Sequence, residues 1–126
     1  MAKKIIIVED DKELIDLLVP RLRREGYDVV GCQTGQSALE KIRMYLPDLV
    51  ILDIMLPDMD GSEVARELQK EIDTAAVPVL FLSGMVSGDA EGGSISELNV
   101  GGFKYPALGK PFSPRELIDL IADTMA

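Results

Sequence analysis

The chain has 126 residues, 47% of them hydrophobic and 28% charged, with a formal net charge of −9. That length supports one domain, 1–126, with one real core, and the charge argues against a nucleic-acid backbone or an anionic membrane as a direct partner, since both draw on Lys and Arg. There is no histidine, which excludes a histidine triad, a histidine-liganded zinc site and any role as a histidine phosphodonor.

The elements alternate between strand and helix. Lys4 to Val8 is an apolar run and reads as a buried strand. Lys12 to Glu25 follows as a helix, with Leu14, Leu17, Leu18 and Leu22 at helical spacing and Gly26 as its stop. Pro20 falls inside it and removes a hydrogen bond to the Asp16 carbonyl, which predicts a kink. Asp28 to Cys32 is a second strand. Ser37 to Tyr45 is a second helix, with Ser37 as cap. Leu49 to Asp53 is a third strand, and Leu56 to Gly61 is turn chemistry. A third helix runs from Ser62 to about Ile72 and is expected to bury Val64, Ala65, Leu68 and Ile72. Val77 to Leu82 is the fourth strand.

Ser83 to Gly102 then carries six glycines. Interior glycine costs a helix roughly 1 kcal/mol against alanine, so the expectation here is a mobile stretch with at most a short helix, Ile95 to Asn99. Tyr105 to Leu108 is the fifth strand. Ser113-Pro114 opens the last helix as a cap followed by proline, and Leu117, Leu120, Ile121 and Met125 share one face. Such β-α alternation favours a parallel sheet covered on both faces.

Cys32 is the lone cysteine, so no intrachain disulfide can form, and it reads as a small buried hydrophobe. Ile5 to Val8 is too short for a signal-peptide core, and no run approaches the ~18 apolar residues of a membrane span. The expected location is the cytoplasm.

In an open α/β sheet, ligands bind beyond the carboxyl ends of the strands. The first strand delivers Glu9, Asp10 and Asp11 there, the third Asp53, the fourth Ser83, and the fifth leads to Lys110. Carboxylates at neighbouring strand ends repel unless a positive charge sits between them. Mg²⁺ prefers oxygen ligands and is held by one or two carboxylates together with phosphoryl oxygens. This suits Asp10 and Asp53 as direct ligands, with Glu9 acting directly or through water. Acids at a helix start also favour the dipole, and Asp11 is assigned that role. A carboxylate such as Asp53 can act as a nucleophile and form an aspartyl phosphate. Lys110 and the Ser83 hydroxyl could then meet the phosphoryl oxygens. The chain has no P-loop sequence. A haloacid-dehalogenase-type phosphatase would want a second aspartate at position 55, which is Met55.

Five pieces in order carry a resemblance: Val8-Glu9-Asp10-Asp11, Ile51-Leu52-Asp53, Leu56-Pro57-Asp58-Met59-Asp60-Gly61, Phe81-Leu82-Ser83-Gly84 and Lys110-Pro111-Phe112. Over its whole length the chain resembles a response-regulator receiver domain of two-component signalling. The resemblance implies a doubly wound (βα)5 flavodoxin-like fold, with a five-stranded parallel sheet in the order 2-1-3-4-5. It implies that Asp53 accepts a phosphoryl group from a sensor histidine kinase or phosphotransfer protein, which switches binding of a downstream effector. Catalysis would be limited to self-phosphorylation and self-dephosphorylation. Asp10, Asp53 and the Met55 backbone carbonyl would hold Mg²⁺, Glu9 would assist through water, and Ser83 and Lys110 would sense the phosphoryl group. Gly84 matches a position that the family keeps small.

There are two departures. The family's usual aromatic position, three residues before the lysine, is Ala107; of the nearby rings only Tyr105 shares its face. Ser83 and Lys110 are 27 positions apart, several more than is usual. Both bear on the family's fourth-helix switch surface rather than on phosphoryl acceptance. Met55 and Met85 occupy the positions that flank the path of hydrolytic water, which implies a long-lived phosphoryl group. The alternatives are a degenerate receiver acting as a constitutive interaction module and an Mg²⁺-dependent phosphatase. No output domain follows the last helix, so the chain reads as a stand-alone or an excised receiver, with a homodimer as a further option.

Overall fold

The computed structural model describes residues 2–84 and 95–126. Among these residues ten elements follow one another: β1 (Lys4–Val8), α1 (Lys12–Arg24), β2 (Asp28–Cys32), α2 (Gly35–Tyr45), β3 (Leu49–Asp53), α3 (Gly61–Lys70), β4 (Val79–Ser83), β5 (Ile95–Val100), β6 (Phe103–Gly109) and α4 (Pro114–Met125). They form one six-stranded sheet in the order β2-β1-β3-β4-β6-β5. The first five of these strands are parallel, and β5 pairs antiparallel with β6 at the edge. The expected parallel order is therefore present, with an added antiparallel edge strand.

Burial on both faces explains the unbroken apolar runs. Every residue of β3 and of β4 is buried. One core cluster gathers Ile6, Val50, Leu52 and Phe81 with Ile42, Val64 and Leu68. The other gathers Ile5, Ile7, Ile51 and Leu80 with Leu18, Leu22, Leu117 and Ile121. Alternate residues of each strand thus serve opposite faces.

The helix ends differ from expectation in detail. Thr34, not Ser37, caps α2; its side chain accepts from the Ser37 amide at 3.1 Å. Helix α1 continues through Pro20, which is exposed, so water can serve the carbonyl that proline leaves without a donor. Leu17 lies outward at 53% exposure rather than on the buried face. Helix α3 stops at Lys70, and Ile72 stands 93% exposed instead of buried. At the last helix, Ser113 and Glu116 form a reciprocal capping box.

The segment Ile95 to Asn99 is a correction. It is not a short helix but most of strand β5. Val100 faces Phe103 across Gly101 and Gly102, whose φ angles are +59° and +87°. Positive φ at both central residues is the requirement of a tight two-residue hairpin turn, and glycine meets it without strain. The glycines that argued against a helix thus specify a hairpin. Gln69 of α3 fastens the turn by donating to the Val100 carbonyl at 3.0 Å and to the Tyr105 hydroxyl at 2.7 Å. The expected mobility of Ser83 to Gly102 falls largely on residues 85–94, which lie outside the described residues, as does Met85.

Candidate phosphoryl-acceptor site

Strand ends β1, β3 and β4 and the loop after β6 meet at one edge of the sheet. Side-chain oxygens of Glu9, Asp10 and Asp53 all lie within 4.8 Å of one another. Glu9 and Asp53 are buried, whereas Asp10 is exposed. Lys110 reaches into this group. Its Nζ donates to Asp53 Oδ2 at 2.9 Å and also to a Glu9 carboxylate oxygen. Ser83 is buried at the end of β4. The Ser83 carbonyl accepts from the Lys110 amide at 2.8 Å, which ties the lysine's backbone to the serine's strand.

Backbone amides also feed the carboxylates. The Asp11 amide donates to Glu9 Oε2 at 3.1 Å, and the Met55 amide donates to Asp53 Oδ1 at 3.1 Å. Even so, burial first, and then the adjacent Asp53 carboxylate, push Glu9 up to about 7, against the pull of Lys110 and the Asp11 amide. For Lys110 burial acts downward, but the hydrogen bonds to Glu9 and Asp53 outweigh it and the ammonium is held above its ordinary value. Two buried acids sharing one ammonium leave a surplus of negative charge. A small divalent cation at this edge would offset it, and three carboxylates are hard donors of the kind Mg²⁺ takes.

Asp11 belongs elsewhere. Its side chain accepts from the Glu13 and Leu14 amides and caps α1. Met55 follows the site and is 61% exposed. Ala107 is buried opposite Phe81. Tyr105 packs on the same face, edge-on to Phe81 with ring centroids 5.5 Å apart, and Gln69 holds its hydroxyl.

Sequence reasoning missed how the loop after β3 is anchored. In the sequence Asp58 is part of a turn, yet its carboxylate accepts from the Gly35 amide at 2.8 Å and the Gln36 amide at 2.9 Å. These are free donors of the first turn of α2, and they hold the Asp58 carboxyl below its ordinary value. Met59 lies against Gly35, where a side chain would collide with it. A methyl group at Gly61 would likewise run into the Asp53 carbonyl. The loop is therefore held at two points on α2 and closed tightly at Gly61. An acidic residue paired in space with a glycine 23 positions away leaves no local signal in the sequence.

Residues 5–122 match the response regulator receiver domain family. The chain belongs to this family. It is 39% identical over 117 residues to the alkaline phosphatase synthesis transcriptional regulatory protein PhoP of Bacillus subtilis, covering 93% of this chain and 46% of that protein. The chain thus spans about half the length of this curated relative. Among solved structures, a CheY-like receiver domain protein from Methanospirillum hungatei superposes with a TM-score of 0.79 at 26% identity, covering 99% of this chain and 94% of the other. The receiver domain of a sensor histidine kinase from Pseudomonas aeruginosa superposes with a TM-score of 0.81 at 26% identity, covering 99% and 98%. That structure has a magnesium ion coordinated in its active-site cleft. Receiver domains are signalling modules of two-component systems, and membership of the family is consistent with a phosphoacceptor role. No helix among the described residues is long and apolar enough to cross a membrane.

Proposed function

We propose that this receiver domain, taken as residues 1–126, accepts a phosphoryl group on Asp53 from a sensor histidine kinase or phosphotransfer protein. The observation that carries this reading is the Lys110–Asp53 contact at 2.9 Å beside the Glu9–Asp10–Asp53 cluster. It supplies a nucleophilic carboxylate, a cation for the incoming oxygens and hard donors for a metal at one point.

In this reading Asp10 and Asp53, with the Met55 backbone carbonyl, would hold Mg²⁺, and Glu9 would assist through water. When bound, the ion would neutralise phosphoryl oxygens. An Asp53 carboxylate oxygen attacks phosphorus, and an acyl phosphate bond forms. The phosphorus–nitrogen bond of the phosphohistidine donor breaks, and the departing imidazole takes up a proton. Lys110 exchanges its carboxylate partner for a phosphoryl oxygen, and the Ser83 hydroxyl donates a hydrogen bond to another. The module then alters its contacts with an effector protein, and its own catalysis is confined to gaining and losing that group. The acidic net charge, −9, supports protein partners over nucleic acid. A cytoplasmic location suits an exchange with histidine kinases.

The test is Mg²⁺-dependent labelling by a small phosphodonor or a phosphorylated histidine protein. Wild type gains one acid-labile phosphoryl group. Asp53→Ala gains none, and labelling that persists in this variant removes the assignment.

A further inference from the structure

Strand β5 closes the sheet on one side only. It pairs with β6 from Ile95 to Val100 and, among the described residues, with no other strand. The direction of its backbone groups follows from β6. The Lys110 amide points to β4, where it meets the Ser83 carbonyl. By the two-residue repeat, the backbone groups of Leu108 and Pro106 point the same way. Proline is tolerated there because pairing of β6 with β4 begins only at Ala107. Ile95, Glu97 and Asn99 lie opposite Leu108, Pro106 and Lys104. They therefore occupy the non-bonded positions of the hairpin and turn their own N–H and C=O groups to the open edge.

An open edge is a template for another strand, and natural sheets guard it with lysine, proline, a bulge or brevity. β5 is six residues long, Ile-Ser-Glu-Leu-Asn-Val, with one charge and neither lysine nor proline. It pairs with β6 without a break in register.

We propose that the β5 edge is a homodimer interface, in which β5 of one copy pairs antiparallel with β5 of a second about a two-fold axis at Leu98. This register sets Glu97 opposite Asn99 of the other copy, twice by symmetry. The Asn99 Oδ1 already accepts from the Gly102 amide at 3.2 Å, so its amide hydrogens are free to donate to the Glu97 carboxylate. Leu98 meets its own symmetry mate, and Ser96 lies opposite Val100. Moving the axis to Glu97 would oppose two like charges, which disfavours pairing. An odd shift would oppose bonded to non-bonded positions and forfeit the ladder. With the axis at Leu98 the strand is complementary to itself, which favours a second copy over an unrelated peptide. Repulsion between two acidic chains is screened beyond ~8 Å at physiological salt. The interface does not depend on phosphoryl acceptance.

The experiment is sedimentation of unphosphorylated protein from micromolar to millimolar concentration at physiological salt, with cysteine crosslinking in parallel. Glu97→Pro removes an edge donor but none directed at β6. Two lost bonds per dimer weaken self-association by about tenfold or more. Residues opposed at a non-bonded position have Cα atoms ~4.5 Å apart, within reach of a disulfide. Leu98→Cys therefore oxidises to a reducible covalent dimer, whereas Ser96→Cys does not, and wild type, with Cys32 buried, serves as the blank. If circular dichroism shows Glu97→Pro unfolded, the two cysteine variants decide. A wild type that stays monomeric throughout overturns the proposal. So does a dimer that a folded Glu97→Pro leaves intact, or one that crosslinks through Ser96→Cys as readily as through Leu98→Cys.

Discussion

Lys110 and Asp53 are joined at 2.9 Å across the gap between the loop after β6 and the end of β3. The same ammonium also serves Glu9. One cation therefore serves two buried acids brought together by different strands. Replacing it with Met leaves both carboxylates without a charged partner. We expect Lys110→Met to lose ~1–3 kcal/mol of stability in chelator. Added Mg²⁺ should recover part of that loss, because the ion takes over the role of counter-charge. Chemical denaturation with and without the ion checks this, and an unchanged deficit in Mg²⁺ would show that the ion binds elsewhere.

The position of Glu9 sets a pH dependence for the metal-free protein. Its carboxyl stands at about 7 when folded, against an ordinary 4.5. Between those values the folded state binds more protons than the unfolded state, so this group lowers stability as pH rises from about 4.5 to about 7 and adds nothing further above. Glu9→Gln should flatten that fall. Denaturation midpoints at pH 5, 6 and 7 in chelator test it, and identical slopes for the two proteins would mean that Glu9 is already charged at pH 5.

Asp10 and Asp11 separate cleanly. Asp11 caps α1 through the Glu13 and Leu14 amides, while Asp10 belongs to the carboxylate cluster. Asp11→Ala should cost about 1 kcal/mol of stability and leave Mg²⁺ affinity near that of wild type. Asp10→Asn should do the reverse. Metal titration and thermal melts on both variants decide it, and equal losses of affinity would mean the acids are wrongly assigned.

The lifetime of the phosphoryl group tests the loop after β3. Met55 is 61% exposed beside the acceptor, and a thioether is only a weak acceptor that cannot orient water. Met55→Asn should shorten the lifetime of phospho-Asp53, since a positioned polar group aids in-line attack. Phosphoryl decay is followed by mass spectrometry, and an unchanged lifetime would show that Met55 does not govern the path of hydrolytic water.

Much of this site could be read directly from the sequence. Four apolar runs end at Glu9-Asp10, Asp53, Ser83 and a lysine loop, and parallel strands place such ends together. Capping was legible at Ser113, where the serine, the proline and Glu116 all lie within four residues. It misled at Ser37, because Thr34 and Ser37 are both competent caps and the choice depends on where the chain leaves β2. Ile72 was misjudged because helical periodicity continues past Lys70 while the backbone does not. The larger omission was the β5–β6 hairpin. Gly101-Gly102 between Val100 and Phe103 is a hairpin turn signature, but six glycines in this stretch also argue simply against a helix. The hold of Asp58 on α2 depends on tertiary contact alone.

Peptide mapping after exposure to a small phosphodonor decides whether Asp53 is the residue that accepts the phosphoryl group. One phosphoryl group is expected, on the peptide that contains Asp53, formed only with Mg²⁺ and absent from Asp53→Ala. A phosphoryl group on another residue, or labelling of Asp53 that is indifferent to Mg²⁺, would contradict it.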